Sequence, residues 1–320
     1  MCPPDGGYLF GEGEVSIKTK GILCTIASAV IFGVTPVLSS LTFAMGSNAA
    51  TLTFYRNLSA VPVLLVLLWA RRISLRLNRK EALAILLVSF LGAATGITLS
   101  SSYNYVGVGT ATILHFLYPV FVVLICRIFF REKLGKVKTI ALAGATLGIV
   151  FFFEQSGDMK VLGIVIALLS GVTYAGYLVG IERMGIKDMN PFKLAFYIAL
   201  VVAVIMLFYD IPTGAIIFDI PPKALLLTCI VGISCTIVAF ILLQLGIRSL
   251  GASMASILSM FEPISSVFAG WLFLGEGFGV SKVIGCVVIL GAVTALVAAD
   301  KIAARRNALL PETEEGIIEF

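Results

Sequence analysis

Residues 107–140 read GVGTATILHFLYPVFVVLICRIFFREKLGKVKTI, and residues 251–284 read GASMASILSMFEPISSVFAGWLFLGEGFGVSKVI. Laid over each other at a shift of 144, without a gap, they are identical at 11 of 34 positions. The matches include Gly107/Gly251, Ile113/Ile257, Leu114/Leu258, Pro119/Pro263, Phe129/Phe273 and Glu132/Glu276. Upstream, a shift of 142 sets Gly21-Ile22 on Gly163-Ile164, Ser28 on Ser170 and Phe54-Tyr55 on Phe196-Tyr197. The chain is therefore an internal duplication, and what each copy contains decides the fold.

Each copy is almost wholly apolar. Of 320 residues 59% are hydrophobic and 13% charged, against about 25% charged in ordinary soluble domains, and the mean hydropathy is +1.06. Too few polar side chains remain to clothe a water-soluble surface, and disorder is excluded for the same reason. A helix crosses a bilayer with roughly 20 apolar residues. Runs of that kind, bounded by charge or turn residues, are expected at 21–44, 48–69, 81–103, 108–130, 137–153, 161–182, 191–209, 223–246, 252–274 and 280–299. None alternates strictly, so the spans are helices and not barrel strands. Gly92/Gly96, Gly144/Gly148 and Gly176/Gly180 fit close helix approach in lipid, or reflect only the abundance of glycine in membrane helices.

With the N-terminus placed in the cytoplasm, 19 of the 23 Lys and Arg fall on the cytoplasmic side. Three, Lys160, Lys223 and Lys282, fall outside, and Arg56 lies within a span. That bias predicts both termini in the cytoplasm and a multi-pass protein of the cell membrane. The basic loops lack interleaved aromatics and serve as topology determinants, so no nucleic-acid partner is expected. Residues 1–20 hold Asp5, Glu12 and Glu14 and no apolar core, so no signal peptide is expected there.

Five spans per copy is an odd number, so the second copy enters the membrane from the opposite side. The expected fold is an all-α polytopic membrane protein. It has ten transmembrane helices arranged as two inverted five-helix repeats around a central cavity, the plan of many secondary transporters. The expected divisions are an N-terminal tail (1–20), a first repeat (21–153), a second repeat (161–299) and a C-terminal tail (300–320).

Phe261-Glu262-Pro263, followed by Ala269-Gly270-Trp271-Leu272-Phe273-Leu274-Gly275-Glu276, resembles the hallmark of EamA-type drug/metabolite transporters. Tyr118-Pro119 with Phe130-Arg131-Glu132-Lys133 resembles its first-half counterpart, and Phe54-Tyr55-Arg56 the arginine-bearing second helix. The resemblance covers roughly residues 20 to 300. It implies ten helices around a cavity, cytoplasmic termini, and movement of small organic metabolites, frequently outward; it implies no single substrate.

An ionisable group inside a membrane helix costs about 2.5–3.5 kcal/mol on insertion scales and calls for a partner or a purpose. Glu262 falls near the midplane of the ninth span. It is a proton-titrating or amine-binding carboxylate, or a structural one bonded to Ser259, Ser265 or a neighbouring helix. Pro119 and Pro263 are hinge candidates, because proline removes a backbone donor and kinks a helix. Arg56, beside Asn57, is suited to a substrate carboxylate through its planar fork, or to a helix end or loop carbonyl. His115 stands one turn before Tyr118 and either relays protons or packs. Tyr118, Tyr174, Tyr177, Ser259 and Gln244 complete the candidate binding or coupling set. Thr35, Ser39, Ser100, Ser101, Tyr103, Asn104, Tyr197 and Ser256 are further polar neighbours.

No cofactor or metal is expected, since the chain has one histidine and no CxxC pair. Its six cysteines are scattered and, Cys2 apart, sit in apolar runs as small hydrophobes. Without HExxH or GxSxG a membrane enzyme is disfavoured, and the short loops leave little surface for a scaffold or sensor. The leading reading is a secondary carrier working by alternating access. It exports a small zwitterion such as an amino acid, with proton coupling through Glu262. The alternative is a facilitator or importer of another metabolite, such as a vitamin or an amine. Membrane lipid is the expected surrounding, and the sequence says nothing of oligomeric state.

Overall fold

The computed structural model describes residues 7–133, 135–151, 160–275, 277 and 279–309. Its elements are α1 (Gly7–Ala44), α2 (Ala49–Ala70), α3 (Arg79–Val106), α4 (Val108–His115), α5 (Tyr118–Phe130), α6 (Lys136–Val150) and α7 (Val161–Arg183). They continue with α8 (Pro191–Thr213), α9 (Pro222–Val231), a π-helical stretch (Gly232–Ala239), α10 (Phe240–Leu250), α11 (Ala252–Ser259), α12 (Glu262–Leu274) and α13 (Val280–Leu309). Among the described residues, nine segments are long and apolar enough to cross a membrane. The tenth expected span is α6, whose 15 residues end just before the undescribed stretch 152–159. Cys2, Glu276 and residues 310–320 also lie outside the described residues. α1 starts at Gly7 and α13 runs to Leu309, so both expected tails are helical where described.

Polar side chains mark where helices begin. The Asn48 side chain accepts from Thr51 N at 2.8 Å. Asn78 and Glu81 close a reciprocal capping box at the start of α3, and Asn190 caps α8 ahead of Pro191. Each serves amide donors that a helix start leaves unpaired. Deeper in the spans, Thr25, Thr53, Thr95 and Ser100 return their hydroxyls to carbonyls four residues back, which satisfies them within their own helices. Large apolar side chains such as Trp69, Phe129, Ile211 and Val280 point outward, an arrangement suited to hydrocarbon.

The packing repeats itself about an axis in the membrane plane. α2 lies on α8 and α6 on α13, each pairing a helix with its own repeat equivalent. The α3–α7 contact is matched by α10–α1, and α7 against α4 and α5 is matched by α1 against α11 and α12. Two of the glycine pairs serve these contacts. A Cβ at Gly180 would stand 2.9 Å from Val88 on α3, and one at Gly148 would stand 2.6 Å from Ile289 on α13.

The fourth and ninth spans, expected as continuous helices kinked at proline, are broken in two. Phe116-Leu117 separates α4 from α5, and Met260-Phe261 separates α11 from α12, so every boundary agrees at the shift of 144. Pro119 and Pro263 fall in the first turn of the second piece. A missing N–H costs nothing there, so proline starts a helix instead of bending one. Both spans also open on a glycine, Gly107 (φ 75°, ψ 161°) and Gly251 (φ 81°, ψ 162°), in a backbone region essentially closed to other residues. Gly251→Ala is expected to cost ~1–3 kcal/mol and to lower the unfolding temperature of the purified protein. Gly109→Ala, with nothing within 4 Å of the added carbon, should leave it unchanged or raised. Equal behaviour of the two variants would contradict the backbone argument.

Candidate functional site

The helix breaks place two half-helix starts near the centre of the bundle, and a cavity of about 250 Å³ lies beside them. Glu262 is the first residue of α12 and lines this cavity, 6% exposed. Its repeat equivalent Tyr118 is the first residue of α5 and fully buried. The Tyr118 hydroxyl donates to Glu262 Oε1 at 3.1 Å, so the bond joins equivalent positions across the pseudo-two-fold axis. Ser259 is a further hydrogen-bond neighbour of Tyr118. α1 approaches this point closely, since a Cβ on Gly33 would stand 2.4 Å from the Glu262 carbonyl oxygen. Only glycine admits that contact.

An aromatic wall runs from this pair along α7. Tyr174 meets Tyr118 edge-on at 4.7 Å and stacks on Tyr177 at 5.7 Å, and Tyr177 leads on to Phe240. His115 lies 5.3 Å from the Tyr174 ring, and its Nδ1 is 2.9 Å from Ser170 Oγ. The single Ser170 proton is directed to the Ala167 carbonyl at 2.6 Å. Nδ1–H therefore donates to Ser170, which leaves Nε2 for other partners.

Opposite this wall, α2 contributes Arg56 and Asn57 to the cavity. Asn57 Nδ2 donates to the Thr53 carbonyl at 2.8 Å. Arg56 Nε is buried without a hydrogen-bond partner among the described residues, and no ion pair to the side chain is found there. A half-buried guanidinium beside the cavity, with no counter-ion among the described residues, is a ready partner for an anion. Its backbone is held by the π-helical stretch, since a Cβ on Gly232 would stand 2.5 Å from the Arg56 carbonyl oxygen.

The cavity thus gathers Glu262, Arg56, Asn57, His115, Tyr174 and Tyr177, with Tyr118 and Ser259 directly behind Glu262. Thr35, Ser39, Ser100 and Tyr103 line it as well. Gln244 is elsewhere, its amide donating to the Met189 carbonyl at 3.2 Å. Tyr197 donates to the Leu75 carbonyl, Ser256 to its own helix, and Ser101 and Asn104 are not among the cavity's lining residues. Thr95, Cys235 and Phe240 line it although nothing in wholly apolar helices singles them out.

One end of the cavity is open and the other shut. Phe43, Ala49, Tyr103 and Val108 carry its lining to the side of the α1–α2 and α3–α4 connections. On the opposite side Glu182 accepts from Ala252 N at 2.8 Å, holding the start of α11. Glu132 pairs there with Arg183 at 3.3 Å and Lys138 at 3.8 Å. Arg248 pairs with Asp188 at 3.0 Å. The two equivalent half-helices differ accordingly: all eight residues of α11 are buried, but in α4 only Thr110 and Ala111 are.

Two inverted helical halves around an apolar and aromatic cavity that holds a few charged and polar groups, open on one side only, define a multi-pass membrane carrier. The chain belongs to the EamA-like transporter family, which it matches over residues 19–153 and again over 161–298. It is 26% identical over 296 residues to the uncharacterized transporter YcbK of Bacillus subtilis, spanning 86% of this chain and 92% of that one. It is likewise 26% identical to the uncharacterized inner membrane transporter YicL of Salmonella typhimurium, spanning 86% and 94%. A solved crystal structure shares the fold with a TM-score of 0.75 at 18% identity, over 90% of this chain and 99% of that one. The chain is a transporter of a small molecule and not an enzyme.

Proposed function

We propose that this transporter is a secondary carrier that exports a small zwitterion, an amino acid or close relative, across the cell membrane in exchange for protons. One observation carries this reading: Arg56, without a counter-ion among the described residues, and Glu262 face the same cavity. Arg56 suits the substrate carboxylate and Glu262 its ammonium group, with the tyrosine wall against the rest of the molecule. A carboxylate that binds either a proton or the ammonium, never both, couples the two flows.

The 19-to-3 distribution of cations supports cytoplasmic termini, and in that orientation the cavity opens outward. The difference between α4 and α11 supports alternating access: exchanging their packing shuts this mouth and opens the other. In proteoliposomes holding the purified chain, radiolabelled amino acids are expected to show saturable counterflow. It should be at least about tenfold faster than that of amines or monocarboxylates of equal size, as loss of one charged hydrogen bond requires. Equal flux of the singly charged analogues would overturn the zwitterion, and an absence of flux for the whole panel would overturn the substrate class.

A further inference from the structure

A second chamber, of about 340 Å³, lies on the other side of α4. It runs between α1, α4 and α12, and Val37, Ile113, Phe116, Pro263, Val267 and Leu274 give it apolar walls. Pro263 and Phe116 stand at the helix breaks near the centre of the bundle, whereas Leu274 ends α12. Eleven residues of α12 separate the two ends, ~16 Å at 1.5 Å per residue, about half of a ~30 Å hydrocarbon core. The end away from the breaks holds Lys282, near the start of α13, and Thr110, in the first turn of α4. Thr110 is 3% exposed, and its hydroxyl has no hydrogen-bond partner among the described residues. A buried hydroxyl of that kind is costly unless something bonds it.

A cation and an unmet hydroxyl above an apolar trough half a bilayer deep match one ligand chemistry. We propose that the chamber binds a single-tailed anionic amphiphile, its acyl chain lying between α4 and α12 and its anionic head at Lys282 and Thr110. Basic pockets between membrane helices recognise lipid head groups in this way. The equivalent space in the other half is filled, because α11 packs on α5 and α6. The chamber therefore belongs to the state in which α4 stands away from α12, and an occupant favours that state. The nature of the substrate in the central cavity does not enter this inference.

The test uses the full chain in phosphatidylcholine nanodiscs, titrated with dodecanoate and followed by its thermal unfolding. Binding should raise the unfolding temperature saturably. Lys282→Gln should weaken dodecanoate about tenfold and leave dodecanol unaffected, and Val267→Phe, which fills the trough, should abolish saturation by both. A linear, unsaturable response overturns the proposal. So does dodecanoate binding undiminished in Lys282→Gln or in a folded Val267→Phe, and so does dodecyltrimethylammonium binding as tightly as dodecanoate. Because no flux is measured, these results stand apart from those that test the transported substrate.

Discussion

Glu262→Gln is expected to abolish the response of transport to a pH gradient. In wild-type proteoliposomes an imposed gradient should accelerate amino-acid flux; in the variant it should have no effect. Glutamine matches glutamate in size, and its carbonyl oxygen can still accept from the Tyr118 hydroxyl, which now donates to Oε1 at 3.1 Å. The fold therefore has little reason to change. What disappears is the group that exchanges a proton and the charge that holds an ammonium. Loss of one partner of a desolvated charge pair costs about 2–5 kcal/mol, so substrate affinity should also fall by about 30-fold or more. Tyr118→Phe is the companion: it removes one donor to the carboxylate and should slow flux about tenfold while the gradient still drives it. Undiminished coupling in Glu262→Gln would end the assignment of the proton to this residue.

The second large effect is expected at Arg56. Arg56→Gln should weaken amino-acid binding by about 30-fold or more, on the same 2–5 kcal/mol scale for a buried charge pair. Arg56→Lys should recover only part of it, since an ammonium lacks the planar fork that grips both carboxylate oxygens. The decisive comparison is with amino-acid methyl esters, whose carboxylate is masked. Wild type should bind them weakly, and Arg56→Gln should bind them no worse than wild type does. Substrate protection against thermal unfolding reads all four combinations. If the free acid and the ester lose affinity equally in Arg56→Gln, the residue supports the cavity wall and does not bind the carboxylate.

Much of the architecture could be read from residue order because duplication leaves a record independent of packing. Gly107 and Gly251 match as letters and prove to share an unusual backbone conformation. Pro119 and Pro263 were legible as disturbances of a helix but not as its restart. A proline in the first turn and a proline in mid-helix look alike until the preceding carbonyls are placed. Charge was the best guide to the cavity: Arg56 and Glu262 both line it, because buried charge is too costly to leave without a site. Polarity without charge was a poor guide. Gln244 and Tyr197 donate to backbone carbonyls at the shut end, an option no periodicity reveals when every helix face is apolar. The partnership of Tyr118 with Glu262 was hidden by its own symmetry. Aligning the repeats presents the two as substitutes for one another, whereas near a two-fold axis substitutes are also neighbours.

That hydrogen bond sets a condition on the molecule's ancestry. Two identical five-helix chains meeting about a true two-fold axis would bring tyrosine against tyrosine at this position, or carboxylate against carboxylate. The first pair offers no acid, and the second repels itself unless a proton is shared. A phenol serving a carboxylate exists only once the copies are free to differ, which joining them in one chain permits. The central bond of this carrier is thus a product of divergence: the symmetry supplied the encounter, and its loss at one position supplied the chemistry.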